Sequence, residues 1–153
     1  LAGTSKMPGR TQAVNLFELA PGKRLADLPG YGHARVPDAV KAAWARLMES
    51  YFAGRGSLSG LLIVVDARRG FGERDEAMLG YATGRGSPSR VLLSKSDKLG
   101  GNEARKVLAT TKALLAGRAG VQLFSATKGE GVDAAQAALD EMLAKQVKTP
   151  GDP

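Results

Sequence analysis

Hydrophobic and polar positions along the chain switch between two periods. Ala13 to Leu19 alternates loosely, Pro21-Gly22 turns the chain, and Lys23 to Asp27 follows, which predicts a β-hairpin. Val36-Pro37-Asp38 opens a helix, with Pro in the first turn, where a missing N–H costs nothing. Val40, Trp44, Leu47, Met48 and Tyr51 share one face of it. Leu61 to Ala67 (LLIVVDA) is an apolar run rich in β-branched residues, which predicts a parallel strand buried on both faces. The two patterns then repeat. Glu73 to Ala82 reads as a helix and Val91 to Leu93 as a strand. Val107, Leu108, Thr111, Leu114 and Leu115 mark a further helix, and Val121 to Phe124 a further strand. Val132, Ala135, Leu139, Met142 and Leu143 form the stripe of a last helix.

Alternation of this kind predicts an α/β fold: a mostly parallel sheet, helices on both faces, and one antiparallel hairpin. With 153 residues and no internal repeat or low-complexity linker, we expect a single domain over 1–146, followed by a flexible tail at 147–153. The longest apolar run, Leu61 to Val65, is too short to cross a bilayer, and Leu1 to Gln12 lacks an apolar signal-type segment. The absence of cysteine excludes disulfides and thiolate metal sites and fits a reducing, cytoplasmic setting. A net charge of +7 points to an acidic partner, RNA above all. The Lys and Arg residues are scattered, with adjacent pairs such as Lys23-Arg24 and Arg68-Arg69, so a plain solvated basic surface is the alternative.

In open α/β sheets ligands sit beyond the carboxyl ends of the strands. Asp27-Leu28-Pro29-Gly30 follows the hairpin, Ser94-Lys95-Ser96-Asp97 follows Val91–Leu93, and Ser125-Ala126-Thr127-Lys128 follows Val121–Phe124. Ahead of the first strand lies Pro8-Gly9-Arg10-Thr11-Gln12. Alone, each is weak: Asp-Leu-Pro-Gly is a common turn, and Ser-Lys-Ser-Asp could simply lead into the next helix. In this order, each at a strand terminus, they are hard to explain as turns.

These residues carry a resemblance. From about Thr4 to about Ala144 the chain resembles the G domain of translation-factor-type GTPases of the P-loop NTPase fold, and specifically the EngB (YihA/YsxC) family. SKMPGRTQ (Ser5–Gln12), DLPGYG (Asp27–Gly32), VDARRG (Val65–Gly70) and SKSDKL (Ser94–Leu99) carry it, and PGRTQ followed by DLPGYG is its most characteristic part. The resemblance implies a GTP/GDP site made by Gly9, Arg10, Thr11, Gln12, Asp27, Leu28, Pro29, Gly30, Ser94, Lys95, Ser96, Asp97, Phe124, Ser125 and Ala126. It implies that Thr11 ligates Mg²⁺, that Asp27 holds the metal through a water, and that the Gly30 amide bonds the γ-phosphate. Asp97 would accept two hydrogen bonds from guanine, a donor pair that adenine lacks. The Lys95 stem would cover the base, the Ala126 amide would face guanine O6, and Ser125 would brace the Asp97 loop.

Two positions depart from the family pattern. Ser94 stands where the family has Thr, or Asn in GTPases generally, and its hydroxyl can still tie the loop to its neighbours. No G-x-x-x-x-G-K-[ST] phosphate loop occurs; Pro21-Gly22-Lys23-Arg24 lacks both the spacing and the hydroxyl. In the family that loop lies directly upstream of the position of Leu1, so we expect a strand, the phosphate loop and its helix to precede Leu1 in the intact protein. Tyr31 follows Gly30 where many small GTPases carry a water-orienting glutamine, which implies slow, partner-stimulated hydrolysis with no catalytic residue assigned. His33 reads as an exposed loop residue, Trp44 and Tyr51 as core, and Arg68-Arg69 as a solvated pair or a contact to nucleotide or rRNA. The resemblance implies a monomer that acts in large ribosomal subunit assembly through rRNA or ribosomal proteins, with cell division and septation disturbed in its absence. The rival reading is a non-enzymatic rRNA-docking module that has lost nucleotide binding.

Overall fold

The computed structural model describes residues 14–30 and 37–144, which fall into two compact units, 1–55 and 56–153. In the first unit β1 (Asn15–Ala20) pairs antiparallel with β2 (Lys23–Asp27), placing Leu16 opposite Ala26 and Phe17 opposite Leu25. The turn between them needs Gly22, whose φ of 74° is open to glycine at no cost. Helix α1 (Asp38–Ala53) starts after Pro37, with Asp38 in the first turn complementing the helix dipole and pairing with Lys41 at 2.8 Å. Trp44, Met48 and Phe52 recur at a spacing of four along one line of α1. Met48 and Phe52 are buried, whereas Val40, expected on the same stripe, is 48% exposed. The Trp44 indole N–H donates to the Pro29 carbonyl at 2.8 Å, fastening the segment after β2 to α1.

In the second unit β3 (Leu61–Asp66), β4 (Ser89–Ser94) and β5 (Gly120–Leu123) form a parallel sheet in that spatial order, with Asp66 level with Ser94 and Leu93 level with Leu123. Helix α2 (Glu73–Thr83) packs on β3 and β4, and α3 (Gly101–Leu115) on β5. Leu61, Ile63, Val65, Val91 and Leu93, alternate residues of one sheet face, are buried, as are Met78, Leu79 and Ala82 of α2 and Leu115 of α3. Burial of this kind contributes about 1.5–3 kcal/mol per large side chain. Helix α4 (Val132–Ala144) lies on the opposite face: a Cβ on Gly60, which has the parity of Leu62 and Val64, would meet Met142 of α4 at 2.4 Å. The α/β arrangement of parallel sheet, helices on both faces and one antiparallel hairpin is therefore as the sequence predicts.

One expectation for β3 fails. Burial on both faces was read from its unbroken apolar run, but Val64 is 60% exposed. Among the described residues β3 is an edge strand, and only one of its faces is fully covered. An apolar run reads the same in either case. Where β3 gives way to α2, Gly70 at φ 77° closes a tight turn onto the Asp66 carbonyl. Buried Asp75 then caps α2 by accepting the Gly72 amide at 2.8 Å and pairs with Arg69 at 3.0 Å. Glu76 of α2 pairs with Arg118 of the loop before β5. No described helix is long and apolar enough to cross a membrane.

Candidate functional site

The carboxyl ends of β3, β4 and β5 carry a connected polar network. At the end of β4 the Ser94 hydroxyl donates to the Val65 carbonyl at 3.0 Å, tying the strand to β3. Lys95 then takes a left-handed conformation, φ 58° and ψ 31°, and turns the chain into a 3-10 turn over Ser96–Lys98. That conformation costs a side-chain-bearing residue about 1–2 kcal/mol, so the surroundings must hold it. They do so through Ser96, which is 4% exposed: its amide and hydroxyl both donate to the Phe124 carbonyl, at 3.2 and 3.0 Å. The Ser96 hydroxyl also contacts the Glu130 carboxylate. Phe124 was expected inside the last strand. Its amide still bonds the Leu93 carbonyl at 2.9 Å, but its own carbonyl serves Ser96, and β5 stops at Leu123.

Asp97 is held from the same side. The Ser125 hydroxyl donates to Asp97 Oδ1 at 2.6 Å, and Lys98 Nζ lies 3.4 Å from Oδ2. The Ser125 hydrogen bond is the main cause that holds the Asp97 carboxyl below the usual carboxylate range, with Lys98 adding to it. Ser125 is wholly buried; its amide bonds the Glu130 carbonyl at 2.9 Å and its oxygen accepts the Lys128 amide at 3.2 Å. Ala126, the next residue, is exposed. Ser94–Asp97 and Phe124–Ala126 thus form one cluster. An ionised carboxylate offers about four lone pairs. With one given to Ser125, Asp97 keeps enough to accept two parallel N–H donors, the pattern presented by a guanine edge.

Two further groups complete the cluster, and both escaped the reading of strand ends. Glu130 grips the Ser96 hydroxyl, and its backbone brackets Ser125. Asp66, at the end of β3, accepts the Arg68 amide at 3.0 Å and the Arg68 guanidinium at 2.9 and 2.6 Å, and lies 3.2 Å from Lys95 Nζ. Arg68 holds the Asp66 carboxyl far below its ordinary value, and Lys95 adds to this. The rule that directs attention to strand ends applied to Asp66 equally. For Glu130, which meets Ser96 from 34 residues away, no local signal exists.

In the other unit Asp27 ends β2 with its side chain exposed, Leu28 is half-buried, Pro29 is buried, and Gly30 is exposed with open space around a Cβ position. Gly9, Arg10, Thr11 and Gln12 lie outside the described residues, as do Tyr31 and His33. Among the described residues no three His, Cys, Asp or Glu side chains gather as a metal cage. One exposed carboxylate is nonetheless what Mg²⁺ asks of a protein when phosphates and waters fill its other positions, so Asp27 fits a nucleotide-borne ion.

No protein-family model matches the chain. Individual relatives do. The chain is 47% identical over 146 residues to "Probable GTP-binding protein EngB" of Nitrosococcus oceani, covering 94% of this chain and 73% of that protein. It is 45% identical over 148 residues to the protein of the same name from Neisseria meningitidis serogroup B, covering 94% and 71%. Among solved structures, a probable GTP-binding protein EngB superposes with a TM-score of 0.70 at 18% identity, covering 93% of this chain and 88% of that one. Era in complex with MgGDPNP and nucleotides 1506–1542 of 16S ribosomal RNA superposes at 0.67 and 21% identity, covering 98% and 50%. The two structures share the G-domain fold, and the two relatives share the sequence across nearly the whole of this chain: it belongs to the EngB family of GTP-binding proteins.

Proposed function

We propose that the protein binds GTP and GDP, hydrolyses GTP slowly with Mg²⁺ and under the influence of a partner, and acts in assembly of the large ribosomal subunit. On this reading it is a cytoplasmic monomer whose residues 1–146 work as one G domain, and its loss disturbs cell division and septation. The observation that carries the nucleotide reading is the Asp97 carboxylate: ionised, braced at 2.6 Å by buried Ser125, and mounted on a loop pinned to the next strand end.

Asp97 would accept the guanine N1–H and exocyclic amine. Lys95 would lie along the base, and the Ala126 amide would meet O6. Leu28 and Pro29 would shape the phosphate corner, where Gly30 donates its amide to the γ-phosphate. Thr11 and Asp27 would hold Mg²⁺, which neutralises phosphate charge when bound. An adenine edge would present one acceptor where Asp97 needs a donor, leaving a carboxylate unsatisfied; sites built this way discriminate by about 10⁴-fold or more.

Asp97→Asn in the full-length protein provides the test. An amide there offers one donor and one acceptor, which suits xanthine. Nucleotide competition should show preference moving from guanosine to xanthosine diphosphate by about a hundredfold or more. Unchanged preference for GDP would remove Asp97 from the base site.

A further inference from the structure

The Lys95 side chain does not stand alone at the base site. Its ammonium lies 3.2 Å from Asp66 Oδ2, on the neighbouring strand end, where Asp66 is level with Ser94. Asp66 is itself immobilised, since three N–H groups of Arg68 grip its two oxygens at 2.6–3.0 Å. The carboxylate thus bridges two cations, and its side chain is only 26% exposed, so water screens it less than it screens either partner.

We infer that Asp66 is a positioning residue for nucleotide binding: gripped by Arg68, it fixes the Lys95 ammonium so that the Lys95 stem stands ready as the face on which the base lies. The inference rests on the reading of Ser94–Asp97 as a guanine site. A free lysine samples many rotamers, and ordering it when a ligand arrives opposes binding. Anchoring both ends beforehand, the backbone at φ 58° and the ammonium on Asp66, removes that cost. A lone exposed Lys–Asp pair would contribute little. What sets this pair apart is that Arg68 engages both oxygens of Asp66 and that Lys95 is two residues from Asp97.

The test is release of N-methylanthraniloyl-GDP from the full-length protein, followed by stopped flow. Asp66→Asn, which keeps the shape and removes the charge, should speed release about tenfold, and Asp66→Glu should restore most of the loss. Lys95→Ala should speed release by itself, and adding Asp66→Asn to it should bring no further change. Release from Asp66→Asn within twofold of wild type would overturn the inference. So would an equal effect of Asp66→Asn in the Lys95→Ala background, which marks a merely structural role. Asp97→Asn, measured in parallel, separates the two levels. If it shifts preference to the xanthosine analogue while Asp66→Asn changes nothing, the guanine site stands and the role of Asp66 falls. If wild type binds no labelled GDP, or Asp97→Asn leaves preference unchanged, the base site falls and the inference with it.

Discussion

Ser125 decides how acidic the candidate base site can become before it fails. The Asp97 carboxyl is held below its ordinary value chiefly by the Ser125 hydroxyl, so the ionised form persists to lower pH than in a free aspartate. The sign follows from linkage. A depressed carboxylate contributes fully above its unfolded pKa of about 3.9, and the contribution is lost as pH falls through the folded value. Ser125→Ala removes the largest cause and lets the pKa climb. GDP affinity measured from about pH 3 to 7 should therefore lose its acid limb at higher pH than wild type, with affinity near neutrality about three- to tenfold weaker. Ser125→Thr, which keeps a hydroxyl, should bring the limb back. An acid limb that stays put in Ser125→Ala would mean that Asp97 is not the group the ligand requires to be charged. Ser94–Asp97 and Ser125–Ala126 were legible in the sequence because each directly follows a strand-like run, Val91–Leu93 or Val121–Phe124. Asp66 stands at a strand end and was open to the same rule, whereas the role of Glu130 appears only when segments 34 residues apart meet.

At the scale of elements, the loop between β5 and α4 holds the network together through two glycines of like conformation and unlike surroundings. Gly129 (φ 72°) has open space where a Cβ would go, whereas at Gly131 (φ 74°) a Cβ would meet the Leu123 carbonyl oxygen at 2.2 Å and Gln122 Nε2 at 3.0 Å. Gly129→Ala should cost only the left-handed conformation, about 1–2 kcal/mol. Gly131→Ala adds overpacking against backbone and should cost about 2–4 kcal/mol in all. It also disturbs the bond from Gln122 to the Gly131 carbonyl, 2.7 Å long. Urea unfolding of the two variants should show the difference, and equal losses would mean that the loop relaxes freely around position 131. Elements were the best-read level of the sequence, yet strand lengths were not. β4 begins at Ser89, two residues before the predicted Val91. Ser89 is 8% exposed, and Arg90 bonds Gln122 across the sheet at 3.2 Å. Backbone pairing with β3, which sets Ser89 opposite Leu61 and Arg90 opposite Leu62, leaves no mark in hydrophobic periodicity.

For the whole molecule the open matter is what a surplus of seven positive charges is for. The described helices spread it, with Lys41 and Arg46 on α1 and Arg105, Lys106 and Lys112 on α3, and several of the arginines are engaged internally, as Arg68, Arg69 and Arg118 show. A dispersed charge steers the protein to an anionic partner without dictating sequence. Both the GTP-dependent switch and the nucleotide-blind docking module would therefore bind large ribosomal subunits in a salt-dependent way, losing about tenfold or more in affinity between about 50 and 200 mM salt. Nucleotide separates them. A switch must bind its target with different affinity in its GTP and GDP forms, because a ligand shifts an equilibrium only by its differential affinity for the two states. Co-sedimentation with purified large subunits at fixed salt should show at least about fivefold tighter binding with a non-hydrolysable GTP analogue than with GDP, the lower end of ordinary coupling. Asp97→Asn should transfer that dependence to xanthosine nucleotides while leaving the salt slope unchanged, since the base site and the basic surface are separate determinants. Equal binding with both nucleotides, at an unaltered salt slope, would establish the docking module and leave Asp97 as a relic of the family's site.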